Sequence, residues 1–160
     1  MIKDIKNILR LNGFHSRIVV LVLYFEKKFI IKFPFKIIRK LINQCIYHCE
    51  IHPDSFADIK AITTLRLPHP FLIIVHRTTK IGLNGTIFQG VTIGVVENKE
   101  IKAAQIGDNF YIGCNSSVLG PVNIVNNVTV GAHSLILTDI NESGVVFGLH
   151  KKMKETLKNL

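Results

Sequence analysis

From Val75 to Ile136 an aliphatic residue returns at every sixth position: Val75, Ile81, Ile87 and Ile93, then, after an interruption, Ile106, Ile112, Val118, Ile124, Val130 and Ile136. Glycine follows it directly at Gly82, Gly94, Gly107, Gly113 and Gly131. Two positions before it the side chain is usually small or aliphatic, as in Gly85, Val91, Ala104, Ser116, Val122, Val128 and Ser134. A helix repeats at 3.6 residues and a lone strand at 2, so neither produces this spacing. A solenoid of very short strands does, each hexad forming one face of a coil. The aliphatic side chain points inward and stacks on its equivalents above and below. The position two before it also points in, because strand side chains alternate. The glycines are expected at corners, where they supply backbone angles that a residue with a Cβ adopts only at a cost. The pattern predicts a parallel β-helix.

The rest of the chain has other periods. Residues 1 to about 48 read as helices. Asn12 or Ser16 can cap one that carries Ile18 to Phe25 and ends near Lys27 and Lys28. Pro34 interrupts, and a second helix is expected from Phe35 to Tyr47. Its Ile37, Ile38, Leu41, Ile42, Cys45 and Ile46 form one apolar stripe. The break between Ile93 and Ile106 holds the polar run Glu97, Asn98, Lys99, Glu100 and Lys102, a loop thrown out of a corner. After Ile136 the repeat decays, and a basic helical tail is expected to close the chain. The expected divisions are a basic helical N-terminal region over 1–49, a β-helix over 50–142 and a C-terminal tail over 143–160.

Charge adds a location. The formal net charge is +9, yet residues 1–40 hold ten of the 20 Lys and Arg against only Asp4 and Glu26. Such asymmetry points to an anionic partner for the N-terminal region. The bland reading is that these helices cover the open end of the solenoid or pack between subunits. A sharper one rests Lys27, Lys28, Lys32, Lys36, Arg39 and Lys40, interleaved with Phe29, Ile30, Ile31, Phe33 and Phe35, on an anionic membrane surface. Nucleic acid ranks below both, since no nucleic-acid-binding module is visible. Cys45, Cys49 and Cys114 match no disulfide framework and suit a reducing compartment. The longest apolar run, Ile18 to Phe25, falls far short of the ~20 residues a membrane span needs. A cytoplasmic protein is expected, with peripheral contact at the inner membrane face as the sharper variant.

The segment Leu65-Arg66-Leu67-Pro68-His69-Pro70-Phe71, together with Ile87-Phe88-Gln89-Gly90-Val91-Thr92-Ile93-Gly94 and the hexads, resembles the hexapeptide-repeat acyltransferases. Within them it is most similar to the serine acetyltransferase branch, which includes bacterial O-acetyltransferases of capsule and exopolysaccharide synthesis. Parallel crossovers are normally right-handed; the resemblance implies the left-handed form. The fold class expected is mainly β: a left-handed parallel β-helix with a short α-helical N-terminal region and a tail helix. By the same resemblance the protein is an acetyl-CoA-dependent enzyme, commonly a homotrimer, and His69 is its general base. Pro68 and Pro70 restrain that histidine on both sides. An imidazole with a reference pKa of about 6.5 can take a hydroxyl proton near neutral pH.

A carboxylate holding the second ring nitrogen would orient such a base. The resemblance assigns that place to Glu50, with Asp54 and Asp58 as rivals because the spacing to His69 is longer than usual. It assigns the coenzyme A arm to Gly113, Ser116, Ala132 and Ser134, and its phosphates to Lys151 and Lys152. Two departures bear on the acceptor. The second active-site histidine of serine acetyltransferases is missing from Ile101-Lys102-Ala103-Ala104-Gln105-Ile106-Gly107, and the N-terminal region is short. Both favour a sugar hydroxyl as acceptor, on a glycan or nucleotide sugar of capsule, exopolysaccharide or O-antigen synthesis. Free L-serine is the alternative, and a non-catalytic β-helix scaffold a second one. No metal is expected: Cys45, His48, Cys49 and His52 match no common zinc spacing.

Overall fold

The computed structural model describes residues 1–29, 33–96 and 103–150. They form a parallel β-helix with helices packed on its first coil. One face stacks β1 (Glu50–Ile51), β2 (Ile74–Val75), β5 (Thr92–Gly94), β8 (Ser117–Leu119), β11 (Leu135–Ile136) and β13 (Leu149–His150). A second stacks β4 (Thr86–Ile87), β7 (Tyr111–Ile112), β10 (Val128–Val130) and β12 (Gly144–Val146). The third holds β3 (Lys80–Ile81), β6 (Gln105–Ile106) and β9 (Asn123–Ile124). Every pairing is parallel, and along the first face aliphatic stacks on aliphatic from Val75 to Ile136: Val75 lies over Ile93, Ile93 over Val118, and Val118 over Ile136. All ten aliphatic residues of the six-residue register are buried. Each contributes about 1.5–3 kcal/mol by leaving water.

The glycines that follow these residues have a different cause from the one expected. None of Gly82, Gly94, Gly107, Gly113 and Gly131 has a positive φ. Gly82, Gly107 and Gly113 lie where the backbones of adjacent coils touch, and Gly94 and Gly131 face a side chain of the next coil, Leu119 and Phe147. A Cβ at Gly113 would come 2.5 Å from the Ala132 backbone nitrogen, and one at Gly107 2.8 Å from that of Asn126. Among residues with a Cβ, the left-handed backbone falls instead three residues before the buried aliphatic, at two of the three corners. One corner, joining the second face to the first, takes His48, Leu72, Gly90, Asn115, His133 and Gly148. The other, joining the third face to the second, takes Asn84, Asn109 and Asn127. Asparagine tolerates these angles better than most residues with a Cβ. Here its amides also form a ladder, Asn84 Nδ2 donating to Asn109 Oδ1 (2.9 Å) and Asn109 Nδ2 to Asn127 Oδ1 (3.0 Å). The large Phe110 sits inside because its neighbour in the next coil is Gly85, where a Cβ would lie 2.0 Å from the Phe110 ring.

Helices α1 (Ile2–Leu11) and α2 (Phe14–Lys28) cover the irregular first coil, which contains α4 (Ile59–Thr63). Ile8, Val19, Val20, Leu23 and Tyr24 share one core with Ile62, Leu65 and Leu67. Neither Asn12 nor Ser16 caps the start of α2; Gly13 occupies that N-cap, and Asn12 is the C-cap of α1. Asn12 Nδ2 donates to Leu65 O (2.9 Å), Leu67 N–H donates to Asn12 Oδ1 (3.0 Å), and the Ser16 hydroxyl donates to Leu67 O. These side chains satisfy backbone groups that no earlier coil is present to pair. Asp58 is likewise committed, accepting from Ala61 N–H (2.9 Å) as the N-cap of α4.

The expected second helix begins earlier and changes form. Pro34 lies in the first turn of α3 (Phe33–Arg39), where its missing N–H costs nothing, and a π-helix follows from Lys40 to Ile46. Most of the apolar stripe turns away from the core: Arg39 and Asn43 are the buried residues, Ile42 packs partly against the core, and Ile37, Ile38, Leu41 and Ile46 are exposed. Beyond Ile136 the coil continues through β12 and β13, so the strands run past residue 142. The corner loop Glu97 to Lys102, Ile30 to Lys32 and the tail from Lys151 onward lie outside the described residues. Among the described residues no helix is long and apolar enough to cross a membrane.

The two kinds of corner position respond oppositely to substitution. Gly113→Ala is expected to destabilise by about 1–3 kcal/mol through the forced contact with Ala132. Asn115→Gly, at a left-handed corner, is expected to stay within about 0.5–1 kcal/mol of the parent. Urea denaturation midpoints of the two variants give the comparison.

Candidate active site

The corner between the second and first faces presents His69. Its backbone is pinned on both sides. Ile87 N–H donates to Arg66 O (3.0 Å) and Gly90 N–H to Phe71 O (3.0 Å), tying the segment to the next coil. Phe71 N–H donates to His69 O (2.9 Å) in a tight turn between the flanking residues. Pro68 and Pro70 restrict the remaining angles. The Cys49 thiol, which burial pushes up from its ordinary pKa, donates to Pro70 O (3.0 Å) and braces the turn from inside. The His69 ring itself is exposed. It lies 6.3 Å from the Phe88 ring, which in turn lies 5.1 Å from Tyr111. An aromatic row therefore runs from the imidazole along the outside of the second face. Phe88 and Tyr111 were not singled out by the sequence reading. Their signal was present, since each adjoins a buried isoleucine (Ile87, Ile112) and points away from it.

The candidate acids separate. Glu50 is exposed on β1, in register with Ile74 of the next coil, on the face that the His69 corner leads into. None of the described hydrogen bonds or ion pairs joins it to His69. Asp54 sits at the far end of that face, at the corner towards the third. Its carboxylate is 3.7 Å from Arg77 and 3.9 Å from Lys27 Nζ. Its own N–H donates to His52 Nδ1 (3.2 Å). Those contacts place Asp54 in a cationic cluster at another corner, which removes it as a rival to orient His69. His52 is held below its ordinary pKa, first by burial and then by the nearby Arg39 charge, with Asp54 opposing. A neutral ring fits the N–H that its Nδ1 accepts, so the 3.4 Å approach of Asp54 Oδ2 is not an ion pair near neutral pH.

The residues assigned to coenzyme A also divide. Ser116 and Ser134 are buried and occupied: both hydroxyls donate to Gly131 O (2.8 and 2.7 Å), while Ser134 N–H and Gly148 N–H donate back to them. Gly113 is buried against Ala132. These three hold the corner together and have no face to offer a ligand. Ala132 is exposed, beside the exposed Asn115 and His133 in the column of corners that continues upward from His69. Lys151 and Lys152 lie outside the described residues. Among the described residues no three His, Cys, Asp or Glu side chains gather as metal ligands would.

No protein-family model matches the chain. Among curated proteins, a serine acetyltransferase of Staphylococcus epidermidis is 36% identical over 101 residues, covering 62% of this chain and 46% of that protein. One of Staphylococcus aureus is 31% identical over 140 residues, covering 87% of this chain and 62% of that protein. The chain thus spans about half to three fifths of the length of these relatives. Among solved structures, Neisseria gonorrhoeae serine acetyltransferase superposes with a TM-score of 0.64 at 25% identity, over 84% of this chain and 52% of that one. The soybean serine acetyltransferase apoenzyme gives 0.65 at 21%, over 84% and 53%. The shared fold is the left-handed parallel β-helix that the resemblance implied. What the chain is similar to is a hexapeptide-repeat acetyltransferase. The expected sugar acceptor, and with it capsule or polysaccharide synthesis, is overturned, because these relatives and neighbours are serine acetyltransferases. That expectation rested on a missing histidine and a short N-terminal region, and an absence selects no acceptor.

The lowered pKa of His52 has a consequence for stability. In the unfolded chain the ring takes a proton near its ordinary 6.5, whereas in the folded protein it does so only at lower pH. Between those values the unfolded state binds more protons, so stability falls as pH drops from 6.5 towards the folded pKa. Thermal midpoints of the parent are expected to decline across that window, and His52→Gln to flatten the decline.

Proposed function

We propose that the chain carries the catalytic portion of an acetyl-CoA-dependent O-acetyltransferase whose acceptor is the hydroxyl of L-serine. The observation that supports catalysis here is the exposed imidazole of His69 on a corner whose backbone is held by two prolines and by hydrogen bonds to the next coil. The names of the Staphylococcus relatives support the acceptor. His69 removes the hydroxyl proton as the serine oxygen attacks the thioester carbonyl carbon. The tetrahedral intermediate collapses with loss of the C–S bond, and the imidazolium returns its proton to the departing sulfur. Free coenzyme A and O-acetylserine result, with no acyl-enzyme. Glu50 is the acid assigned to orient the ring once the acceptor is bound.

Coenzyme A enters as a substrate. The exposed column of Asn115, Ala132 and His133 is where its pantetheine arm would lie, since the inner hydroxyls are committed to the corner. The assembly is proposed to be a homotrimer, in which a neighbour's column faces His69. The cytoplasm, where acetyl-CoA is made and thiols stay reduced, is the proposed location; all three cysteines are free.

Thiol release from acetyl-CoA with L-serine is the test. The parent should turn over, and His69→Ala should lose about 10²–10⁴-fold in kcat. Glu50→Gln should lower kcat and move the acidic limb of the pH profile, while Asp54→Asn should do neither. Full turnover by His69→Ala would remove the assigned base. No release together with no binding of coenzyme A would leave a scaffold.

A further inference from the structure

The segment from α3 through the π-helix is amphipathic the wrong way round for a core element. Its buried side chains include Arg39 and Asn43, and Arg39 Nε donates to Glu26 Oε2 (2.7 Å) with both groups sealed from solvent. Phe25, Phe29 and Phe35 stack pairwise at 5.2–6.0 Å and lock α3 onto the end of α2. The orientation is therefore held by two independent contacts. Turned outward are Phe33 (73% exposed), Ile37 (44%), Leu41 (58%) and Ile46 (61%). The first three follow at one α-turn intervals and Ile46 lies five residues on, the spacing of the π-turn that Tyr47 N–H closes onto Ile42 O. One continuous apolar ridge results, larger than isolated surface hydrophobes explain.

Charge decides among occupants. From Lys27 to Cys49 the sequence contains six basic residues and no Asp or Glu. Arg39 is spent on Glu26 and Lys27 approaches Asp54. Lys28, Lys36 and Lys40 are exposed near or along the ridge. A second copy meeting this face across a twofold axis would bring the same lysines together without counter-charge. An anionic surface with an apolar interior satisfies both the ridge and its cationic rim. We propose that this face docks on the anionic lipid surface of a membrane, seating the ridge among the headgroups and leaving the β-helix in water.

Co-sedimentation of the full chain with phosphatidylcholine vesicles, and with vesicles containing about one quarter phosphatidylglycerol, tests this independently of acetyl transfer. Binding is expected only to the anionic vesicles and to weaken with added salt. Lys36→Glu/Lys40→Glu should weaken it at least roughly 25-fold, taking about five-fold for each lysine removed. Ile37→Ser/Leu41→Ser should also weaken it, with circular dichroism, melting temperature and mass by light scattering unchanged. No binding at low salt, or equal binding to neutral vesicles, would overturn the proposal. So would a fall in assembly mass for Ile37→Ser/Leu41→Ser, which would assign the ridge to another copy of the chain.

Discussion

The separation of one coil from the next governs this structure. Parallel strands lie roughly 4.7–4.9 Å apart, and at Gly82, Gly107 and Gly113 the residue following the inward aliphatic comes against the backbone of the neighbouring coil. Little room is left there. The stacked Ile and Val residues supply the cohesion, and the glycines permit the approach. Other features follow from that spacing, including Phe110 over Gly85 and the two serines closed onto Gly131.

Where the stack begins, the same requirement is met by other means. No earlier coil pairs with residues 65–67, so Asn12 and Ser16 do so from α2 and the turn before it. The helices are thus part of the ladder in hydrogen-bonding terms, although they share none of its periodicity. Their outer surface is a separate matter, set by the Glu26–Arg39 pair and the phenylalanine stack, which turn one helix face outward.

The six-residue period was legible because each step repeats one physical event, an aliphatic side chain entering the prism. The glycines were located correctly and explained wrongly, because sequence reveals where a Cβ is missing and not what it would have struck. The left-handed corners were hidden by variety: Asn recurs at one corner, but the other accepts His, Leu, Gly and Asn alike. The stripe on α3 and the π-helix was visible, but its direction depends on the distant Glu26. In the site, His69 stands out through the family resemblance of its Pro-His-Pro segment, and the structure sets its ring on an exposed corner. Ser116 and Ser134 could not be told from ligand-facing hydroxyls, since inward and outward serines look the same in sequence.

The corner that carries His133 and runs beside His69 has six left-handed positions, Gly148 included, filled by four different amino acids. What the fold requires there is a dihedral angle, and the identity of the side chain is left open. A lineage can therefore exchange these residues, and with them the chemistry offered to a passing ligand, while the stacked interior goes on unaltered. Architecture and reactivity are in this sense separately heritable along a single edge of the prism.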